Sequence, residues 1–176
     1  RSIRPMNKGV RNGLLFGAAA LLIGLSLYLV NKPLFLNPSI KLILSLVLPI
    51  TFMVKTGIEK RAQLGGFAPF QELLKPIYLT MIIGATIYGL FQYIMMSVDH
   101  ELLEIQRRIA IESLETISGL ANLTAENVAE IKEMKAEDMK PSPRGLLFTL
   151  SKNFILGFIF AAIIALILKR KNLASE

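Results

Sequence analysis

Lys152 is the ionisable residue that comes nearest to the interior of an apolar block, interrupting the run Leu146 to Leu168 as Ser151-Lys152-Asn153. A lysine at that depth offers an anion contact, to a lipid phosphate or a partner's acid; the plainer reading is an ammonium snorkelling back to the headgroups. A second candidate is the stretch from Lys60-Arg61 to Gly65-Gly66-Phe67-Ala68-Pro69-Phe70, flanked by Lys55 and Lys75. Lys60 and Arg61 suit acidic lipid headgroups, and Phe67 and Phe70 suit the interfacial zone or a partner surface. The structural account of the same residues is a tight turn, then a short interfacial helix over Gln71-Glu72-Leu73-Leu74, with Pro76 marking the start or a kink of the next span. His100, between Asp99 and Glu101, could suggest a metal or pH-sensing cluster. Adjacent positions do not converge on one helix face, so a solvated helix start is the better reading.

The remaining chemistry is bounded by what the chain lacks. It has no cysteine and one histidine. That removes disulfides, thiolate nucleophiles, cysteine metal sites, bis-histidine haem and zinc sites needing two or three imidazoles. No phosphate loop, zinc-protease motif or nucleophile elbow occurs, and no Asp, Glu, Arg or His sits centrally in an apolar block, which argues against a proton-coupled pump. The expectation is a non-enzymatic protein without cofactor or metal.

These residues must be positioned by elements inside a bilayer. Of 176 residues 53% are apolar and 19% charged, with a mean hydropathy of +0.53, which excludes a disordered chain and disfavours an ordinary soluble domain. The apolar residues fall into four blocks. Gly13 to Val30, entered through Asn12, and Ile77 to Met96 each have the length of a span. Val30-Asn31-Lys32-Pro33 is a poor cleavage site, so the first block reads as an anchor. Leu42 to Val54 is short and contains Pro49, but a span follows if Lys41 and Lys55 snorkel and Leu34–Leu36 dip into the interface. The fourth block is interrupted at Lys152. The fold class is therefore all-α: an integral membrane four-helix bundle with an amphipathic helical hairpin between spans three and four.

That hairpin divides the chain into residues 1–97, 98–143 and 144–176. Asp99 to Ser118 places Leu102, Ile105, Ile109, Leu114 and Ile117 at helical spacing, and Gly119 reads as the stop. Thr124 reads as the N-cap of a second helix with Val128, Ile131 and Met134 on one face, ended by Pro141-Ser142-Pro143. Its Thr124 also completes an Asn122-Leu123-Thr124 glycosylation sequon, which the cap explains more economically. Two short helices cannot build their own core, so they must pack on each other, the membrane or a partner. Small residues recur at helical spacing: Gly13, Gly17, Ala20 and Gly24 in the first span, Ala85 and Gly89 in the third, Gly157, Ala161 and Ala165 in the fourth. They are expected to pack the bundle, with an oligomer face as the alternative.

The formal charge is +7, and its distribution fits a membrane better than a nucleic acid. Residues 1–12 carry +4, whereas residues 97–144 carry −4. Basic clusters at Arg1/Arg4/Lys8/Arg11 and Lys169/Arg170/Lys171 place both termini and the 55–75 loop in the cytoplasm.

Lys60-Arg61, Leu64-Gly65-Gly66-Phe67 and Phe70-Gln71-Glu72, then Phe91-Gln92-Tyr93-Ile94 and Val98-Asp99, resemble a family of four-span inner-membrane proteins of unknown function from Bacteroidota. The ending Ile155-Leu156-Gly157 to Leu168-Lys169-Arg170-Lys171 is similar to that family's last helix. The resemblance implies a multi-pass protein of the bacterial inner membrane and supplies no catalytic residue. The leading functional expectation is a membrane subunit or scaffold of a larger envelope complex, partnered by the bilayer, anionic lipid headgroups and another membrane protein or further copies of itself. The alternative is an accessory or flippase-like component of polyprenyl-lipid-linked sugar metabolism, with Lys152 and the basic rim on phosphate headgroups. A small solute transporter is less favoured, because the chain shows no internal repeat or pair of broken helices.

Overall fold

A computed structural model describes residues 6–118, 133 and 135–169. Its helices are α1 (Lys8–Val30), α2 (Lys32–Leu36), α3 (Pro38–Gln63), α4 (Phe70–Val98), α5 (His100–Ser118) and α6 (Pro143–Leu168), with a 3₁₀ turn at Ala136–Met139. Four of them, α1, α3, α4 and α6, are long and apolar enough to cross a membrane, and together they form an all-α membrane bundle. The second hairpin helix expected from Thr124 through Val128, Ile131 and Met134 lies outside the described residues. So do the stop at Gly119, the Asn122 sequon, Arg1, Arg4, Arg170 and Lys171.

Several boundaries differ from the sequence reading. The first helix begins at Lys8, where the Asn7 side chain accepts from Gly9 N–H at 2.8 Å; Asn12 is fully buried inside the helix rather than at its start. The second span is a continuous helix of 26 residues, because Lys41, Lys55 and Glu59 all lie within it. It absorbs Pro49 by a π-helical segment at Ile43–Val47, where Leu48 N–H reaches back to Ile43 O. Proline lacks the N–H that a regular turn would need, and a widened turn accommodates that loss.

The loop that follows is a Schellman cap. Gly66 N–H donates to Arg61 O at 3.0 Å and Gly65 N–H to Ala62 O at 3.1 Å, with both glycines at positive φ, +74° and +91°. Glycine adopts that conformation without a Cβ penalty. The separate interfacial helix expected at Gln71–Leu74 is instead the first turns of α4, which runs through Pro76 unbroken. The fourth span is also unbroken across Ser151-Lys152-Asn153; Ser142 caps it by accepting from Gly145 N–H at 3.0 Å, and Pro143 occupies its first turn.

Helix α4 is central and touches α1, α3, α5 and α6. Its main core joins Phe16, Met53, Leu73, Ile77, Met81 and Ile164. A smaller one joins Phe35 and Leu36 of α2, Met96, and Leu102, Leu103 and Ile105 of α5. The amphipathic helix α5 thus lays its apolar face on the end of the bundle. Its first turn is fixed by the Asp99 carboxylate, which accepts from Glu101 N–H at 3.0 Å.

Candidate functional site

The small residues decide which helices approach. A Cβ on Gly9 would lie 2.5 Å from Pro76 O, one on Gly13 2.8 Å from Ile83 Cβ, and one on Gly17 2.6 Å from Ile87 Cδ1. Gly24 faces Phe91 in the same way, so the Gly13, Gly17, Gly24 stripe is occupied by α4. On the other side Gly89 admits Leu150 and Gly157 admits Met81, and Ala161 and Ala165 are fully buried, which fixes α6 to α4. Missing side chains at these points allow close packing where lipid offers no hydrophobic drive.

Polar side chains reinforce the α1–α3–α4 junction. Asn12 Nδ2 donates to Thr56 Oγ1 and to Glu59 Oε2, both at 3.0 Å. Arg11 pairs with the same Glu59 oxygen, Thr56 and Thr80 hydroxyls share a 2.8 Å hydrogen bond, and Thr80 donates onward to Gly9 O and Pro76 O. Each of these side chains has a partner on another span, as a bilayer interior requires, although Arg11 Nε is buried without one among the described residues. At the opposite end Lys32 bridges Asp99 and Glu101, both at 2.6 Å, while the Tyr28 hydroxyl donates to Asp99 at 2.8 Å. The Lys32 ammonium holds the Asp99 carboxyl below the usual carboxylate range, and Asp99 followed by Glu101 raises Lys32. These two assemblies are closed: they join elements and leave little for a ligand.

A third polar region is open. Between α3, α4 and α6 lies a cleft with two adjoining chambers that share part of their lining. The wider, 290 Å³, is lined by Lys41 and Ser45 of α3, Tyr88, Gln92 and Tyr93 of α4, Gln106 of α5, and Thr149 and Asn153 of α6. The narrower, 210 Å³, is lined by Leu42, Leu46, Ile50 and Met53 of α3 and by Leu156, Gly157 and Phe160 of α6. Ser45, Pro49, Met81 and Asn153 border both. Helices α3 and α6 meet near Gly57, where a Cβ would come 2.5 Å from Leu168 Cδ1, and the cleft occupies the length beyond that contact. The π segment at Ile43–Val47 supplies Leu44, Ser45 and Leu46 to its wall, which is the kind of place where π-bulges recur. Inside, Gln92 donates to the Tyr88 hydroxyl at 2.8 Å.

The sequence-derived candidates are not gathered into this cleft. Lys152 is exposed on α6, and its neighbour Asn153 is the residue that lines the chambers. Lys60 lies 3.5 Å from Glu72, Arg61 supplies its carbonyl to the Schellman cap, Phe67 is exposed, and Phe70 packs half-buried on the core, all at the other end of α3. The residues not singled out from sequence are Asn12, Thr56, Glu59 and Thr80 in the network and Lys41, Ser45, Gln92 and Asn153 in the cleft. Their available signal was a polar residue inside an apolar helix. Among the described residues no group of three metal-ligating side chains converges.

The architecture is that of a polytopic all-α membrane protein with a polar concavity between its transmembrane helices; a second one, 470 Å³, lies at the end of the spans, between Pro33, Asn37 and Pro38 and the Arg108, Glu112 and Ser113 face of α5. The chain belongs to the family described as Protein of unknown function (DUF4199), whose model matches residues 11–170. No curated protein and no solved structure matches the chain.

Proposed function

We propose that this is a non-enzymatic protein of the bacterial inner membrane that holds an amphiphilic molecule in the α3–α4–α6 cleft, as an accessory component of lipid handling. The carrying observation is the polarity gradient along that cleft. Hydroxyl and amide groups share the wall of the wide chamber with Leu44, Met81, Met96 and Leu146, whereas aliphatic and aromatic carbon dominates the narrow one, whose polar side chains are Ser45 and Asn153. A molecule with a polar head and an apolar chain matches that gradient, and concave sites between helices of a bundle are the usual binding places. With Lys8, Arg11, Lys55, Lys60 and Arg61 at the cytoplasmic end, the wide chamber opens toward the extracytoplasmic leaflet. A subunit role in a larger envelope complex is compatible with this reading, but the described face of α5 is already packed on α2, so the cleft carries more weight.

Purification in mild detergent followed by native mass spectrometry tests the proposal. The wild type should retain lipid, and Leu46→Trp or Leu156→Trp, which fill the narrow chamber from opposite walls, should lose it. Equal lipid retention by both variants, with unchanged thermal stability, would contradict the proposal.

A further inference from the structure

Two lysines lie at the same end of the bundle in opposite circumstances. Lys32 is saturated by Asp99 and Glu101. Lys41, half-buried in the first turn of α3, lines the wide chamber and has no hydrogen-bond or ion-pair partner among the described residues. Among the described residues no carboxylate lines either chamber, so Lys41 stands there among neutral hydroxyls, amides and apolar side chains. A cation held in that setting without a counter-charge is costly, and an anion seated beside it removes the cost.

We infer that the cleft takes a membrane phospholipid of net negative charge, its phosphate held by Lys41 with no cation of its own beside it, and its chain lying between α3 and α6. The inference rests on the proposed amphiphile site and adds the chemical class of its occupant. The choice of a lipid over a free anion comes from adjacency: Ser45, Pro49, Met81 and Asn153 border both the chamber of Lys41 and the apolar one. The phosphate oxygens face Lys41, and the neutral groups Gln106, Thr149 and Asn153 are placed for the ester or hydroxyl groups of the head.

The full chain is reconstituted in nanodiscs of equal phosphatidylglycerol and phosphatidylcholine, and retained lipid is counted by native mass spectrometry. Wild type should prefer phosphatidylglycerol. Lys41→Met should reduce that preference about tenfold, the effect of one charge-assisted contact, and Lys41→Arg should restore it. Lys152→Met removes the same charge from the exposed face of α6 and should leave the preference unchanged. Inorganic phosphate at millimolar concentration should not displace the lipid. A preference that survives in folded Lys41→Met, falls equally in Lys152→Met, or yields to inorganic phosphate would overturn the inference. If Leu46→Trp still sheds all lipid, the amphiphile site stands while its anionic specificity falls; if Leu46→Trp sheds none, the site itself fails.

Discussion

The seam between α1 and α4 and the gap between α3 and α6 are built from similar apolar helices and end up as opposites. Along the seam Gly9, Gly13, Gly17 and Gly84 remove every side chain that would hold the backbones apart, and Phe16 fills the space over Gly84. Along the gap Leu42, Leu46, Leu156 and Phe160 keep their bulk, the helix is widened by a π turn before Pro49, and the close contact at Gly57 and Leu168 lies at one end only. The polar residues follow the same division. Asn12, Thr56 and Thr80 are consumed at the seam by interhelical hydrogen bonds, whereas Lys41, Ser45 and Asn153 face free volume. Polar groups spent on packing hold a membrane bundle together; polar groups left facing space are the ones able to recognise something.

The comparison breaks most severely at Gly84, where an added Cβ would sit 1.7 Å from the buried Phe16 ring. Gly84→Val should cost about 3 kcal/mol or more through overpacking, seen as a large fall in thermal midpoint in detergent. The corresponding change on the gap, Leu46→Trp, should leave that midpoint nearly intact because it enters a cavity. If the two variants are equally stable, the seam and the gap are not the opposites described here.

A smaller effect is expected from Asn12→Leu. It removes the amide that donates to both Glu59 and Thr56, and should cost ~1–3 kcal/mol, measured by the same melts. Lipid retention should not change, since none of Asn12, Thr56, Glu59 and Thr80 lines either chamber. Loss of lipid without loss of stability would place the ligand at the network instead.

The smallest effect concerns the Lys32–Asp99–Glu101 cluster and is read against pH. Lys32 depresses the Asp99 carboxyl in the folded protein, so Asp99 binds a proton less readily than in the unfolded chain. Its contribution is present above the ordinary carboxylate range and fades as pH falls through the depressed value. Lys32 is raised, so its share is present below the ordinary lysine value, about 10.4, and fades only as pH rises beyond it. The docking of α5 on α2 should hold across neutral pH and loosen in acid. Wild-type melts should show an acid-limb decline that is shallower in Asp99→Asn; identical limbs would assign the decline to other carboxylates.

Much of the bundle was legible in the sequence because hydropathy at span length is a local property. The first and third spans, the α5 face of Leu102 and Ile105, and the Gly65-Gly66 turn all follow from neighbouring residues. The second span is longer than its apolar block Leu42–Val54, since Lys41 and Lys55 read as its bounds while the helix runs from Pro38 to Gln63 and pairs Glu59 with Arg11, 48 residues away. Asn12 reads only as the entry to the first apolar block, because its two acceptors, Thr56 and Glu59, lie on another span. From sequence Lys41 reads as a snorkelling flank: whether a lysine meets water, lipid or a cleft depends on where α3 and α6 diverge, and no local pattern encodes that. Lys152 attracted attention by interrupting an apolar run, yet helical rotation turns it outward and Asn153 inward.

The central claim is that lipid enters between α3 and α6 rather than merely surrounding the bundle. Vesicles doped with a chain-labelled photoactivatable phospholipid, irradiated and analysed by peptide mapping, test this directly. Labelling should concentrate on Leu46, Leu156 and Phe160, above the level at Leu22 and Leu29 of α1, which are 67% and 73% exposed. Labelling that simply tracks exposure, strongest at Leu22 and Leu29 and weak along the cleft, would contradict the account.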